Sequence, residues 1–471
     1  MKTIIAIVAF LLMAGLAGCQ TYEPRPLTRS SVDEALTPPL AEALTVRASE
    51  FKHPLLPTLK LSLNDGLSPD GAAVLAVLLN PGLRSQRDRR QVAQAQLTQA
   101  GLLPNPQLAY SLDVPTGGQT QGTTTAFGLG LTWDALQLIS RSTNQEVAQA
   151  HLDSVALDVA WQEWQTAMAA KQSVYSLASL EARIVLATQL DTSSSHRLAE
   201  IRRAAKDHLA TADDLTSAAV ARDQAQSKLL ELQKQASQER VKLLRLLGLP
   251  AFSNPKLQAG IKLPENLQAP TEAQLLKGLE QRRLDLVALR RGYESQEAAV
   301  HVAVMNQFPC INLGLTRAGD TSDVVTTGFT FSIDLPIFDR NQAKITRERA
   351  TRQKLFDEYV DRVAQARSDL AGFLGVMHNL NQQVAAALTA RTDLVSLEQS
   401  YRKAFKKNLI GQAVYNGILE HLNQKRLDVI NLEEQLMETK IALELASGVY
   451  DLDAARSQSA RLPDLGKGDG R

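Results

Sequence analysis

Gly128-Leu129-Gly130-Leu131-Thr132-Trp133-Asp134 returns later in the chain as Gly328-Phe329-Thr330-Phe331-Ser332-Ile333-Asp334. Gly and Asp coincide at an offset of 200, and the residues between them alternate with the same parity. Self-similarity at a fixed spacing is the mark of a duplicated architecture. The same offset holds far downstream, where Leu229, Leu232, Ala236, Glu239 and Leu243 fall on Val429, Leu432, Leu436, Thr439 and Leu443, and Gly248 falls on Gly448. Upstream the offset is 203: Pro106 meets Pro309, Leu83 meets Leu286 and Arg87 meets Arg290. The three-residue change therefore lies between Pro106 and Gly128, a stretch with loop composition. Loops absorb such insertions at little cost.

One repeat reads as follows. Ser68-Pro69 is a helix start, with Ser as N-cap and Pro in the first turn. A helical pattern runs to Leu79, is interrupted at Asn80-Pro81, resumes to about Ala100 and stops at Gly101 and Pro104-Asn105-Pro106. Two strands follow, at 107–113 and 123–133, around a Gly-, Thr- and Gln-rich turn at 115–122. In the second strand Thr125, Phe127, Leu129, Leu131 and Trp133 share one side, and Gly128, Gly130 and Thr132 the other. In the second repeat, 310–317 and 326–335 form the matching pair around Ala318-Gly319-Asp320. The longer strands approach the length a tilted strand needs to cross a bilayer.

Proline-free sequence rich in helix formers then runs from 143 to Pro250 and from 340 to Pro463. Leu229, Leu232, Ala236, Glu239, Leu243 and Leu246 are spaced 3-4-3-4-3, a heptad seam with one polar position. Each stretch is too long for one ordinary helix, so each is expected to be a helix, a reversal and a return helix. The reversals are expected within 191–208 and 392–411.

The start of the chain speaks to compartment. Lys2 precedes a short apolar run at 4–14, too short to span a bilayer and suited to a signal-peptide core. Leu16-Ala17-Gly18-Cys19 follows and resembles a bacterial lipoprotein signal, which implies a lipid on Cys19 as the first residue of the mature chain. Gln20 rather than Asp after it implies sorting to the outer membrane. The one other cysteine, Cys310, has no partner for an internal disulfide and reads as a small hydrophobe. The net charge of +1 over 471 residues gives no reason to expect a nucleic-acid partner. Beyond residue 14 no apolar run is long enough for a spanning helix, so a membrane crossing would have to be a β-barrel.

Two hairpins, each leading into a long helix pair, give four strands per chain. Four strands cannot close a barrel, and an open edge is not tolerated in lipid. Two copies would give 8 strands, whose interior side chains fill. Three copies give 12 and leave a lumen, so conduction favours a trimer.

Leu78-Leu79-Asn80-Pro81-Gly82-Leu83, with Ala100-Gly101-Leu102-Leu103-Pro104-Asn105-Pro106-Gln107-Leu108, resembles the opening of TolC-family outer membrane factors. Arg283-Leu284-Asp285-Leu286 with Phe308-Pro309-Cys310-Ile311 resembles that family's second half. Leu335-Pro336-Ile337-Phe338-Asp339-Arg340-Asn341-Gln342 resembles the strand-to-helix corner of members from heavy-metal efflux. The resemblance covers residues 68–450. It implies an α+β membrane protein: a tandem repeat of β-hairpin plus long antiparallel helix pair, trimerising into a 12-stranded transmembrane β-barrel and a periplasmic α-helical tunnel. The expected organisation is a signal peptide (1–18) and an extended periplasmic segment (19–67). Repeat 1 follows (68–250, hairpin 107–133, long helices 143–247), then a linker (251–270). Repeat 2 (271–450, hairpin 310–335, long helices 340–450) leads to a tail (451–471).

The resemblance also implies function: a homotrimeric outer-membrane conduit, not an enzyme, opened when a periplasmic adaptor and an inner-membrane pump of the RND type dock at the helix reversals. The implied docking tips are His208 and Leu209 in the first repeat and Leu409, Ile410 and Gly411 in the second. Where the family tends to place Asp after the second tip, this chain has Gly417. Glu420, with Asp213 and Asp214 in the first repeat, are candidate entrance acids or, equally, a solvated helix face. Trp161 and Trp164, three apart on a helix, read as packing. Trp133 reads either as an interfacial anchor or as a packed corner. The seven histidines show no metal-ligand spacing, so no metal site and no cofactor beyond the lipid on Cys19 is expected. A periplasmic adaptor lipoprotein is the main rival, but it should carry one hairpin inserted into compact β domains. A type I secretion outer-membrane channel is a second alternative. A structural coiled-coil lipoprotein would not need the strand pairs, and an enzyme would need a catalytic constellation.

Overall fold

The computed structural model describes residues 21–38, 41–50, 53, 56, 65–250, 252–268, 270–309 and 311–449. Cys19, Cys310, the signal segment 1–18 and the tail 451–471 lie outside the described residues.

The segment expected to be extended contains two helices, α1 (Arg29–Leu36) and α2 (Ala41–Glu50). In α1 the cause is local. Thr28 accepts from the Ser31 N–H at 3.2 Å, and the Ser31 hydroxyl takes the Thr28 N–H in return.

The first repeat proper begins with α3 (Pro69–Leu79) and α4 (Pro81–Gly101). Ser68 caps α3 through the Gly71 N–H at 3.0 Å, and Asn80 ends it and caps α4 through the Gly82 N–H at 2.8 Å. Strands β1 (Gln107–Asp113) and β2 (Ala126–Asp134) follow, then α5 (Ala135–Lys206) and α6 (Ala212–Leu246). The linker crosses back over this repeat: Leu67 donates to Lys256 O at 2.8 Å and accepts from Gln258 N at 3.1 Å. The second repeat supplies α7 (Glu272–Leu276), α8 (Leu279–Arg282), α9 (Leu284–Met305), β3 (Ile311–Gly319), β4 (Val325–Ile333), α10 (Gln342–Lys406) and α11 (Gln412–Ser447).

Several boundaries differ from expectation. Helix α5 starts at Ala135, not 143, because the Asp134 carboxylate accepts from the Leu136 and Gln137 N–H groups at 2.9 and 3.1 Å. The polar run Thr192-Ser193-Ser194-Ser195 does not break it, since Thr192 returns its hydroxyl to Thr188 O at 2.8 Å. The reversals are therefore short, at 207–211 and 407–411, and not spread over the preceding turns. The second hairpin turns at 320–324, where Asp320 Oδ1 accepts from Ser322 N and Val324 N at 2.8 and 3.0 Å. That leaves Ala318 and Gly319 in strand β3. Strand β4 ends at Ile333, and Pro336 beyond it has no N–H to extend a ladder.

The four strands make one antiparallel sheet in the order β1-β2-β3-β4. β1 and β4 are its open edges. The helices pack by burying the heptad seams: Leu232, Ala236 and Leu243 join Val174, Leu177 and Leu180, while Leu436 and Leu443 join Leu370, Met377 and Val384. Glu239, the polar seam position, takes the Ser173 hydroxyl at 2.7 Å. A third cluster around Trp161, Trp164, Met168, Leu284 and Ile441 joins the two repeats. Both tryptophans are packing residues, with the Arg283 guanidinium 5.2 Å over the Trp161 ring.

The duplication is visible in the backbone. Gly248 and Gly448 end their helices with φ of 63° and 68°. Each lies against the interruption between paired short helices, at Leu79 and Pro81 in one repeat and at Arg282 and Arg283 in the other.

Candidate functional site

Two regions carry the functional geometry: the sheet and the helix tips. In the sheet, the register puts Leu108 opposite Leu131, Leu131 opposite Leu315, and Leu315 opposite Phe329. The next rows carry Trp133, Leu313 and Phe331 on one side and Tyr110 and Leu129 on the other. All of these side chains are at least 39% exposed, so most of one sheet face is bare and apolar, with Arg317 and Thr327 completing the row of Tyr110 and Leu129. The opposite face carries Ala109, Gly130, Thr316 and Gly328 in one row, with Ser111 and Gly128 in the row on one side and Gly314 and Thr330 in the row on the other. Apolar and small or polar positions alternate along β1 and β2 and, short of Arg317 and Thr327, along β3 and β4, as in a barrel wall with lipid on one side and water on the other. β2, β3 and β4 are nine residues each, within the bilayer-crossing range; β1 has seven. Trp133 donates its indole N–H to Pro104 O at 2.7 Å, so it ties the sheet to the corner before β1.

At the other end of the helix pairs the two tips share one geometry. His208 and Asn408 adopt left-handed φ values of 54° and 55°. His208 N donates to Ala205 O at 3.2 Å and Leu209 N to Ala204 O at 2.7 Å; Asn408 N donates to Phe405 O and Leu409 N to Ala404 O, both at 2.9 Å. Each is a Schellman ending. Such an ending usually folds the next apolar residue back on the helix, yet Leu209 and Leu409 remain 82% and 72% exposed. The last turns carry Arg203 and Lys206, and Lys403 and Lys406, which suit a helix C-terminus. Gly411 is not the left-handed residue: its φ is −76° and it sits at the N-cap of α11 without a side-chain cap.

The candidate entrance acids separate by role. Asp214 belongs to a cap: Thr211 N and Oγ1 donate to its carboxylate at 2.9 and 2.6 Å, and those bonds hold its pKa below the usual Asp value. Asp213 beside it is exposed, and Glu420 is exposed within α11. A depressed carboxyl pKa stabilises the fold above the unfolded value, and that contribution is lost as pH falls through the folded one. Thr211→Ala removes the hydroxyl donor, so the Asp214 carboxyl is expected to move up toward its ordinary range. Carbon-detected titration of aspartate-labelled protein checks this, and an unmoved Asp214 would exclude the cap as the cause.

Sequence reasoning missed a brace behind the second tip. Tyr415 donates its hydroxyl to buried Glu398 at 2.7 Å, Arg402 Nε reaches the same oxygen at 2.8 Å, and Phe405 stacks on Tyr415 with ring centroids 5.2 Å apart. Burial, then the Glu398 bond, pushes the phenol pKa up. The first repeat has Leu198, Arg202, Ala205 and Leu215 at these places. Comparing the two repeats at the offset of 200 would have flagged the difference. A second polar cluster joins His53, Glu163 and Arg87, with Arg87 Nε donating to Glu163 at 2.6 Å and His53 Nε2 at 3.5 Å from it. Burial opposes ionisation of Glu163, but the His53 hydrogen bond and Arg87 outweigh it, so its pKa lies below the usual Glu value. No group of three or more potential metal-ligating residues occurs among the described residues.

An open four-stranded sheet with one apolar face, continued into two long helical hairpins, is the fold of TolC-like outer membrane factors. No protein-family model matches the chain. It is 25% identical over 411 residues to the cobalt-zinc-cadmium resistance protein CzcC of Cupriavidus metallidurans, covering 85% of this chain and 91% of that one. The crystal structure of CusC superposes with a TM-score of 0.66 at 19% identity, over 85% of this chain and 99% of that one. The open-state MtrE outer membrane channel of Neisseria gonorrhoeae gives 0.65 at 16% identity, over 85% and 97%.

Proposed function

We propose that this chain is one subunit of a homotrimeric outer-membrane channel, a passive conduit anchored by a lipid on Cys19, which works with a periplasmic adaptor and an inner-membrane pump of the RND type. The observation that carries the proposal is the sheet. It has two open edges and one bare apolar face, and neither is stable unless further copies close it into a barrel in lipid. Twelve strands leave room for water where eight do not. The pump supplies energy, and the chain supplies the wet path, so no catalytic group is required. Because the relative is a cobalt-zinc-cadmium resistance protein, we take divalent metal ions as the cargo.

Helices of 72 and 65 residues carry the tips about 100 Å from the sheet, at ~1.5 Å per residue. The exposed Leu209 and Leu409 would be the apolar anchors of the adaptor. Docking opens the channel only if the adaptor binds the open arrangement of the tips better than the closed one. Asp213 and Glu420 would line the entrance.

Leu209→Asp with Leu409→Asp is expected to weaken adaptor capture at least about tenfold, since central apolar anchors are each worth ~1–2 kcal/mol or more. Cellular metal tolerance should fall with it. Circular dichroism and thermal unfolding of the double variant are the folding control. Conductance in planar bilayers tests the conduit itself, and Glu420→Ala with Asp213→Ala should raise resting conductance or reduce cation preference. A protein that extracts without detergent as a stable monomer and never conducts would end the proposal.

A further inference from the structure

The charged residues of the four strands are Asp113, Asp134 and Arg317. The two acids share the face of Gly128 and Gly130, whereas Arg317 stands on the apolar face, directly opposite Thr327 on β4. Apolar rows bracket it. Leu131, Leu315 and Phe329 lie on the helix side, and Leu112, Phe127 and Val325 on the turn side. Arg317 is exposed, and its guanidinium makes no hydrogen bond or ion pair among the described residues. The Thr327 hydroxyl beside it is likewise uncommitted among them.

Position along the strand sets the depth. Arg317 lies roughly 20 Å along β3 from its first residue, Ile311, which is about 15 Å in height at the usual strand tilt. The apolar band of a barrel is ~25 Å tall, so Arg317 stands beyond its middle, toward the hairpin turns. In the proposed channel the helices leave the other end of the sheet for the periplasm, and the turn side is therefore the outer leaflet. A charge on the lipid side of a barrel destabilises it according to depth, and an ionisable group at such a place needs a partner. The chain supplies none. Asp113 and Asp134 belong to the other face. In the turn above, Asp320 Oδ1 is taken by Ser322 N and Val324 N, and no ion pair joins Arg317 to Asp323. Further copies bring the same four strands, and so no strand carboxylate on this face either.

We infer that Arg317 and Thr327 bind the phosphate of an anionic lipid in the outer leaflet, a phosphorylated glycolipid. Residues directly opposed across an antiparallel pair stand ~4.5–5.5 Å apart at Cβ, so guanidinium and hydroxyl can reach one phosphate together. The guanidinium gives two parallel N–H donors to two phosphate oxygens, and the arginine stem lies against the apolar wall while its head rises to the lipid headgroups. Its own strand leaves that route open. Gly319, the next residue of β3 on the same face, has no side chain, and the Phe127 ring lies across it, 2.5 Å from where a Cβ would stand. The phosphate carries no attached amine, because the ammonium of a zwitterionic headgroup would find no strand carboxylate on this face.

This inference rests on the proposed outer-membrane barrel, and its test separates the two. Full-length protein in detergent is titrated with lipid A, with lipid A stripped of its phosphates, and with phosphatidylethanolamine, and retained lipid is counted by native mass spectrometry. Wild-type protein should retain lipid A at least about tenfold better than either other lipid, as expected for hydrogen bonds to a charged group. Arg317→Leu should lose that preference, and Arg317→Lys should keep only part of it, since a point charge replaces a fork. Thr327→Val should weaken it less than Arg317→Leu. Heat unfolding in phosphatidylcholine vesicles is the folding check: Arg317→Leu completes an apolar row, so its midpoint should be no lower than that of the wild type. Conductance of the wild type in planar bilayers tests the barrel separately. Equal retention of lipid A by wild type and Arg317→Leu, or equal retention of the three lipids by wild type, overturns the phosphate site and spares a channel that conducts. A wild type that neither inserts nor conducts overturns both.

Discussion

Gly248→Val is expected to cost at least about 3 kcal/mol of stability. Gly248 holds φ at +63°, where a side chain costs roughly 1–2 kcal/mol and a β-branched one more. Its Cβ would also lie 2.6 Å from Leu79 O and 3.0 Å from Pro81 Cδ. Those atoms belong to the interruption between α3 and α4, which the Asn80 caps and the Asn80 side-chain bond to Leu246 O hold in place. They cannot retreat without opening the end of α6. Gly260 is the matched control, because it has φ of +77° but open space around its Cβ. Gly260→Ala should show the backbone term alone, and Gly248→Ala should exceed it in urea unfolding followed by circular dichroism. Equal losses would mean that the close approach to Leu79 carries no energy. Gly448→Ala should fall between them, since its nearest neighbours, at Arg282, are 3.1 Å away.

Arg183→Ala should cost about 3–5 kcal/mol, the usual penalty for stranding one member of a buried ion pair. The Glu434 side chain is 11% exposed and receives the guanidinium at 2.5 Å. Without it, that carboxylate keeps the Ser179 hydroxyl, which donates to it at 2.7 Å, but loses its counter-charge. The effect should be largely reversed by Arg183→Met combined with Glu434→Leu, which replaces the pair by apolar side chains of similar volume. Unfolding of the two single variants and the double variant measures the coupling. If the double variant is no more stable than Arg183→Ala, the loss comes from packing of the arginine stem and not from the abandoned charge.

Much of this molecule was readable before any coordinates. Ser68-Pro69, Asn80-Pro81 and Gly101 mark real helix ends because caps act through one or two hydrogen bonds within a turn. The parity of Leu129, Leu131 and Trp133 was legible because a strand has a period of two. The errors were also local in cause. Asp134 capped a helix where a loop was expected, Asp320 moved a turn by two residues, and the hydroxyl of Thr192 bonded back to its own helix. Side-chain bonds of this kind depend on rotamers that composition does not specify.

By itself, the sequence determined the duplication, the hairpin-then-helix-pair order of each repeat and the heptad seams. All of these rest on periodicity, and periodicity is a property of the chain alone. Tertiary structure decided what lies between distant segments. It joined the four strands into one sheet, turned Asp214 into a cap, set the Glu398–Tyr415 brace behind only one tip, and made Arg183 and Glu434 a buried pair. It also left Val241 on α6 58% exposed, where Ile441, at the same place on α11, is 2% exposed. Those outcomes depend on which helix faces which. Two stretches with the same periodicity can be buried in one repeat and exposed in the other, because the partner that covers a face is not encoded in the face.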